Sequence, residues 1–404
     1  MTITEVQHKQ RLEKMSDLQN RKPVKSTPEL SDIDAAIIAM DNLAVMNRHE
    51  VYFRAGDPGY PGSFTRDSEI AMALRGDPLL LESQIDYSVR RRGKKQDPKT
   101  GEEPGKHHHE LPNVNMNGLS TAYNACDTTA QSLLSMAALV ERGYRSDVLL
   151  RKYADAIKDG VAYIKSHVNH EGLFMEDPWF AGDENPDGRK RRFALKVTYW
   201  KDSELNRQGS REPHYPIVYT LAHFQNARAL EAVGKITADH ALIDIGKDMI
   251  KAGIDHLWKD DHFITARDED GVIDPISSDS LEALLYIESS WLPDGYARAI
   301  EQYMELLVTE AGYRAALPAT PDVDPYHMMV WAHSQAVMHA AAQSHRLHRA
   351  TEITTRIMPF MLPQQGVFSE QFDPETLLPS GNGMQLWTIG AYLYFQNPKN
   401  AILY

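Results

Sequence analysis

The chain has 404 residues, 42% of them hydrophobic and 25% charged, which is the balance of a globular protein with a sizeable core. A formal net charge of -13 argues against the basic surface that a nucleic acid or an anionic membrane selects, and no run approaches the roughly 18 apolar residues of a membrane helix. One cysteine, Cys126, makes an intrachain disulfide impossible; with a polar, charged N-terminal stretch unlike a signal peptide, this leads us to expect a cytoplasmic protein.

Residues 1–28 are polar and interrupted by Pro23 and Pro28, which predicts an N-terminal arm. Residues 29–404 contain no Gly/Ser linker and are expected to form a single domain. Helical periodicity then recurs along the chain. Ser31 is placed to cap a run from Ile33 to Met46, Arg66–Leu74 is short, and Pro78–Arg91 opens on a proline at a favoured early position. Thr128–Arg142, Asp147–His167, Ile217–Val233, Ala238–Trp258, Asp279–Ile287, Pro293–Val308, His327–Leu347, Ala350–Met361 and Asn382–Phe395 follow. No run of alternating β-branched residues is convincing, so strands are expected only as short hairpins in loops.

Short links alternate with long ones, the long ones being Arg92–Asn124, Asn169–Pro216, Asp261–Asp279, Gly312–Pro325 and Leu362–Gly383. Long loops in a compact domain are usually functional. Their recurrence after every second helix predicts six helical hairpins closed into an all-α (α/α)6 barrel, with the long loops gathered on one face. A two-layer solenoid would also be built of helix pairs, but no repeat of fixed period supports it.

The densest polar stretch runs from Gly105 to Ala138. Asp127 stands where a helix N-cap stands, yet the loop before it, with His109, Glu110 and Tyr123, carries more polar chemistry than a cap needs. Further clusters of acids and aromatics sit at 62–68, with Arg66 and Asp67, and at 196–203, with Trp200 and Asp202. Others lie at 324–331, with His327 and Trp331, and at 366–374, with Glu370, Trp387 following soon after. Aromatic faces stack on the apolar faces of a pyranose and carboxylates accept from its hydroxyls. This points to a small-molecule carbohydrate substrate, without a cofactor, a metal, a nucleic acid or a membrane partner.

RDSEIA at 66–71, GKHHHEL at 105–111, YNACDTT at 123–129, YWKDS at 199–203, YHMMVW at 326–331 and GVFSEQFDP at 366–374 resemble, in order, the motif series of the glycogen-debranching amylo-α-1,6-glucosidases. More broadly they are similar to the inverting (α/α)6 glucosidases, glucoamylases included. The resemblance spans about residues 60–395. It implies an exo-acting α-glucosidase with Asp127 as general acid and Glu370 as general base. It implies that Arg66 and Asp67 hold the terminal sugar, with Glu110, Tyr123, Trp200, Asp202, His327, Trp331 and, by its position, Trp387 on the pocket wall. Thr129-Ala130 replaces the family's Thr-Pro, Met328-Met329 its x-Gly, and Ala332 the Pro after Trp331. The β-rich N-terminal domain of many relatives is also absent, so a disaccharide or a glucosylated compatible solute fits at least as well as a long glucan.

A general acid must hold its proton, and a helix N-terminus favours the anion. Asp127 is therefore expected off the helix axis and not in a tight cap bond. Should Glu370 not be the base, Glu212 and Glu288 come next. Three adjacent histidines, His107, His108 and His109, make poor metal geometry because neighbouring side chains in a loop point apart. On the same fold, a sugar epimerase of the acylglucosamine 2-epimerase kind would use paired histidines, with His214, His327 and His333 as candidates. Hydrolysis of an α-mannoside and sugar binding without turnover also fit these clusters.

Overall fold

A computed structural model describes residues 31–47, 50–97, 99–113, 115–116, 119–177, 198–201, 213–317, 328–361 and 368–404. The expected arm at 1–28 lies outside the described residues, as do Asp202, Glu212 and His327.

Among the described residues twelve α-helices follow one another. The first half holds α1 (Asp32–Asn42), α2 (Thr65–Arg75), α3 (Pro78–Arg90), α4 (Thr128–Glu141), α5 (Ser146–Ser166) and α6 (Thr220–Thr237). Next come α7 (His240–Leu257), α8 (Asp279–Ala283), α9 (Tyr296–Tyr303), α10 (Ala332–Ser344), α11 (His348–Thr354) and α12 (Leu386–Gln396). The even-numbered helices touch in a closed circuit: α2 on α4, α4 on α6, α6 on α8, α8 on α10, α10 on α12, and α12 back on α2. The odd-numbered helices pack around them, α1 on α12 and each other one on the inner helix beside it in the chain. This is an (α/α)6 barrel.

Burial follows from that layering. Inner helices are covered on all sides: every residue from Thr65 to Leu74 of α2 and from Thr128 to Leu139 of α4 is buried. Outer helices bury one stripe, as α5 does with Leu149, Tyr153, Ala156, Ile157, Gly160, Tyr163 and Ile164. The ring closes tightly where α12 meets α2. A Cβ on Gly390 would lie 2.8 Å from the Cα of Ala71, so only glycine lets these two backbones approach.

Outer and inner helices start differently. Three outer helices carry local caps: Ser31 accepts from the N–H of Asp34, Asp77 from those of Leu79 and Leu80 ahead of Pro78, and Asp239 from that of Leu242. Four inner helices instead leave a short strand directly. Residues 63–64 pair with 110–111 and run into α2, and 217–219 pair with 266–268 and run into α6. Likewise 330–331 pair with 371–372 before α10, and 384–385 pair with 56–57 before α12. Their first N–H groups find loop carbonyls, with Thr65 donating to His109, Thr220 to Thr265 and Leu386 to Ala55. Three of these helices therefore begin later than periodicity predicts: α6 at Thr220 and not Ile217, α10 at Ala332 and not His327, α12 at Leu386 and not Asn382. Similarly the first helix stops at Asn42, because residues 44–46 pair with 51–53. The strands and the described parts of the long loops collect at the N-terminal ends of the inner helices, and the described residues of the polar clusters stand there.

Candidate active site

Asp127 immediately precedes α4 and is 1% exposed. Its backbone is helical and its side chain makes no cap bond. The carboxylate turns aside to the inner helix next in the ring, where Arg66 donates from Nε to Oδ2 at 2.8 Å and from Nη2 to Oδ1 at 3.0 Å. Both residues are buried, so this two-point pair is formed away from water. The guanidinium expected to clamp a sugar is engaged on the expected acid, because α2 and α4 bring the two first turns face to face.

Asp67, next to Arg66, accepts from the amide of Gln385 at 3.4 Å. Gln385 in turn accepts from Asn382 Nδ2 at 3.1 Å, and the backbone N–H of Asn382 donates to Glu370 Oε2 at 2.9 Å. One chain of contacts thus connects Asp127 to Glu370. Glu370 is 3% exposed; burial pushes its carboxyl up from the usual range, while the Asn382 N–H and the Tyr60 hydroxyl pull it back. Gly381 completes the seat. It adopts φ +75°, and a Cβ there would stand 2.5 Å from Glu370 Oε2. Gly381→Ala is therefore expected to displace the carboxylate and lower kcat/KM roughly 100-fold, with a loss of stability of about 1–2 kcal/mol from the left-handed backbone. Steady-state kinetics and a thermal melt check both.

An aromatic cluster adjoins the Glu370 strand. Trp331 pairs through its backbone with Gln371, beside Glu370, and presents its ring edge-on to Trp387 at 5.5 Å and to Trp200 at 6.1 Å. His333 stacks on Trp387 at 3.9 Å and meets Trp200 edge-on at 4.9 Å. Burial pushes the His333 imidazole well below its ordinary value, and the nearby charges of Arg66 and Lys201 add to this, so the ring is neutral. Buried Nε1 of Trp200 and Trp387, Nδ1 of His333 and Oε1 of Gln371 have no hydrogen-bond partner among the described residues. Such groups are rare in folded proteins, and a bound polyhydroxylated ligand is the kind of partner that satisfies them.

Glu110 enters the same region through its strand, facing Phe64, and accepts from the Thr121 hydroxyl at 2.7 Å. Burial pushes its carboxyl up and that hydroxyl opposes the shift. Tyr123 turns elsewhere: its hydroxyl donates to the carbonyl of Arg91 at 2.7 Å, at the end of α3. The three histidines point to three different partners. His107 Nδ1 lies 2.6 Å from the Ser88 hydroxyl, His108 Nε2 3.2 Å from the Thr65 hydroxyl, and His109 Nδ1 3.1 Å from the Thr121 carbonyl. Burial lowers all three, His107 and His109 to about 3, so they serve as neutral packing groups.

Of the other candidates, Glu288 pairs with Arg228 at 2.9 Å and Lys235 at 3.0 Å, toward the C-terminal end of α6 and away from Asp127. His214 stands by Asp270 on the hairpin at 266–273 and is half-buried, while His333 is enclosed by indoles. Sequence reasoning missed Tyr60, Gly381, Asn382 and Gln385 around Glu370. Gly-Asn-Gly at 381–383 falls where the predicted loop gives way to the predicted last helix, and nothing in it announces that Glu370 will lie against it.

No protein-family profile matches the sequence, and no curated protein matches it. Solved structures do resemble the fold. The GH63 mannosylglycerate hydrolase from Thermus thermophilus in complex with Tris aligns with a TM-score of 0.64 at 14% identity, over 90% of this chain and 100% of that one. Its complex with glucose gives 0.62 at 14% identity over 91% and 100%. An uncharacterized conserved protein from the same organism gives 0.61 at 14% identity, over 91% and 100%. At such identities the likeness establishes the barrel.

Proposed function

We propose that the protein is an inverting glycoside hydrolase that removes a single sugar from a small α-glycoside. The reading rests above all on the contact chain from Asp127 through Arg66, Asp67, Gln385 and Asn382 to Glu370, which links two buried carboxyl groups, the second of them next to the strand that pairs with Trp331. Asp127 is the general acid and Glu370 the general base. Arg66, Asp67, Glu110, Trp200, Trp331 and Trp387 bind the sugar.

In the reaction, Asp127 gives its proton to the glycosidic oxygen as the bond from that oxygen to the anomeric carbon breaks. A water attacks the opposite face of the carbon and passes a proton to Glu370, so the released sugar has the inverted anomeric configuration. Bound by Arg66 at both oxygens, Asp127 is the carboxylate; it becomes the acid when the guanidinium releases at least one oxygen and that oxygen takes up a proton from solvent. A sugar hydroxyl seated between the two residues supplies the competing partner. Glu370, raised by burial but still steadied as an anion by the Asn382 N–H and the Tyr60 hydroxyl, suits a base.

For the sugar, the motif resemblance favours an α-glucoside. The second reading is an α-mannoside of a small acid, favoured by the aligned structures, which are described as a mannosylglycerate hydrolase and include a complex with Tris and D-glycerate. Proton NMR of a panel decides between them: maltose, isomaltose, panose, kojibiose, trehalose, glucosylglycerol, a mannobiose and mannosylglycerate. The expected result is one substrate class releasing its sugar first as the β-anomer. First appearance of the α-anomer would rule out inversion. Turnover of no member would sink the hydrolase reading and favour an epimerase or a sugar-binding protein.

A further inference from the structure

Residues 198–201 form a short bridge across the top of the barrel. At one end, the Thr198 carbonyl accepts from the backbone N–H of Cys126 at 2.8 Å, tying the bridge to the residue before Asp127. In the middle, Tyr199 stacks on Tyr219, the residue that opens α6, with ring centres 4.7 Å apart. At the other end, the bridge reaches Asp279, the first residue of α8. The Lys201 ammonium donates to Asp279 Oδ1 at 2.7 Å and to the Ser277 hydroxyl at 2.8 Å, and the Tyr199 hydroxyl donates to Asp279 Oδ2 at 3.3 Å. One carboxylate therefore holds the neighbours of Trp200 on both sides.

Lys201 and Asp279 are each at most 1% exposed. A buried ion pair is weak evidence for stability, because stripping water from both charges offsets most of their attraction; its better-attested use is to specify one arrangement. Here that arrangement is the one that holds Trp200, flanked in the chain by Tyr199 and Lys201. The Trp200 ring lies 5.1 Å from the Lys201 ammonium and makes T-shaped contacts with Trp331 and His333.

We propose that Asp279 is a positioning residue for the Trp200 wall, acting through Lys201 and Tyr199 and not through the sugar; this rests on the hydrolase reading of the site. Losing Asp279 then matters only as far as Trp200 matters, and the two losses do not multiply.

The test compares K201M/D279A, which removes both charges together and strands neither, with W200A and with the triple variant. K201M/D279A is expected to lower kcat/KM roughly 10- to 100-fold, and the triple variant to be no slower than W200A. Multiplying losses, or wild-type kcat/KM in K201M/D279A, would overturn the proposal. In parallel the protein is labelled with 5-fluorotryptophan. Its six tryptophans give separable fluorine resonances, and that of Trp200 is assigned by W200F. That resonance is expected to shift or broaden in K201M/D279A, and to a smaller degree in D279E, which serves if the double variant fails to fold. An unmoved resonance overturns the proposal. If the wild type turns over no glycoside, the hydrolase reading falls, while the fluorine signal still decides whether Asp279 places Trp200.

Discussion

Replacing Glu370 by Gln is expected to lower kcat/KM about 10^3- to 10^4-fold, with little change in folding. The glutamine carbonyl still accepts from the Asn382 N–H, and the side chain is nearly the same size, so the seat formed by Gly381 and Tyr60 is kept. What disappears is the group that takes a proton from water. Kinetics on whichever glycoside the NMR panel identifies, together with a circular-dichroism melt, measure both halves. Activity within tenfold of wild type would remove Glu370 from the base role. Glu288, held by Arg228 and Lys235 at the far end of α6, is then poorly placed to replace it.

Asp127→Asn is expected to reduce turnover of ordinary glycosides by a comparable factor, about 10^3-fold or more. The loss should shrink sharply with a glycosyl fluoride, because fluoride departs without a proton. This contrast is needed because Asp127 is also half of a buried ion pair. Breaking such a pair by neutralising one partner costs about 3–5 kcal/mol, so a stability loss alone could depress activity. A destabilised enzyme loses activity toward both substrates equally, whereas a missing acid spares the fluoride. Equal losses would show that Asp127 serves the fold and not the proton transfer.

The observation that carries most weight for mechanism is the Arg66–Asp127 pair. The residues lie 61 positions apart, and the motif resemblance gives them separate tasks, one on the sugar and one on the leaving oxygen. On the proposed function, their contact means that substrate binding and acid activation share one guanidinium. The aromatic wall shows a similar economy. Trp200, Trp331 and Trp387 are at once core side chains, 5% exposed or less, and the surface beside Glu370. On the proposed function, these core anchors are also the sugar platform.

Local chemistry determined a good deal of this protein by itself. The twelve helices among the described residues, their layering into hairpins and the closed barrel all followed from period, breakers and loop lengths, because inner and outer helices differ in how many of their faces must avoid water. Starts with a local cap, at Ser31 and Pro78, were legible for the same reason: the partners of the orphan N–H groups lie within three residues. The starts of α6, α10 and α12 were not, since their first turns are fixed by strands paired with segments up to hundreds of residues away. The site divides in the same way. Asp127 and Glu370 were singled out by the motif resemblance, and the three tryptophans by residue type and their place beside acids in or near loops. That Arg66 grips Asp127, that Gly381 leaves room for Glu370, that Tyr123 turns toward Arg91, and that Asp279 holds both neighbours of Trp200 were decided by the tertiary structure alone. Each depends on which first turns and loops the closed ring sets face to face, and no spacing along the chain carries that distance.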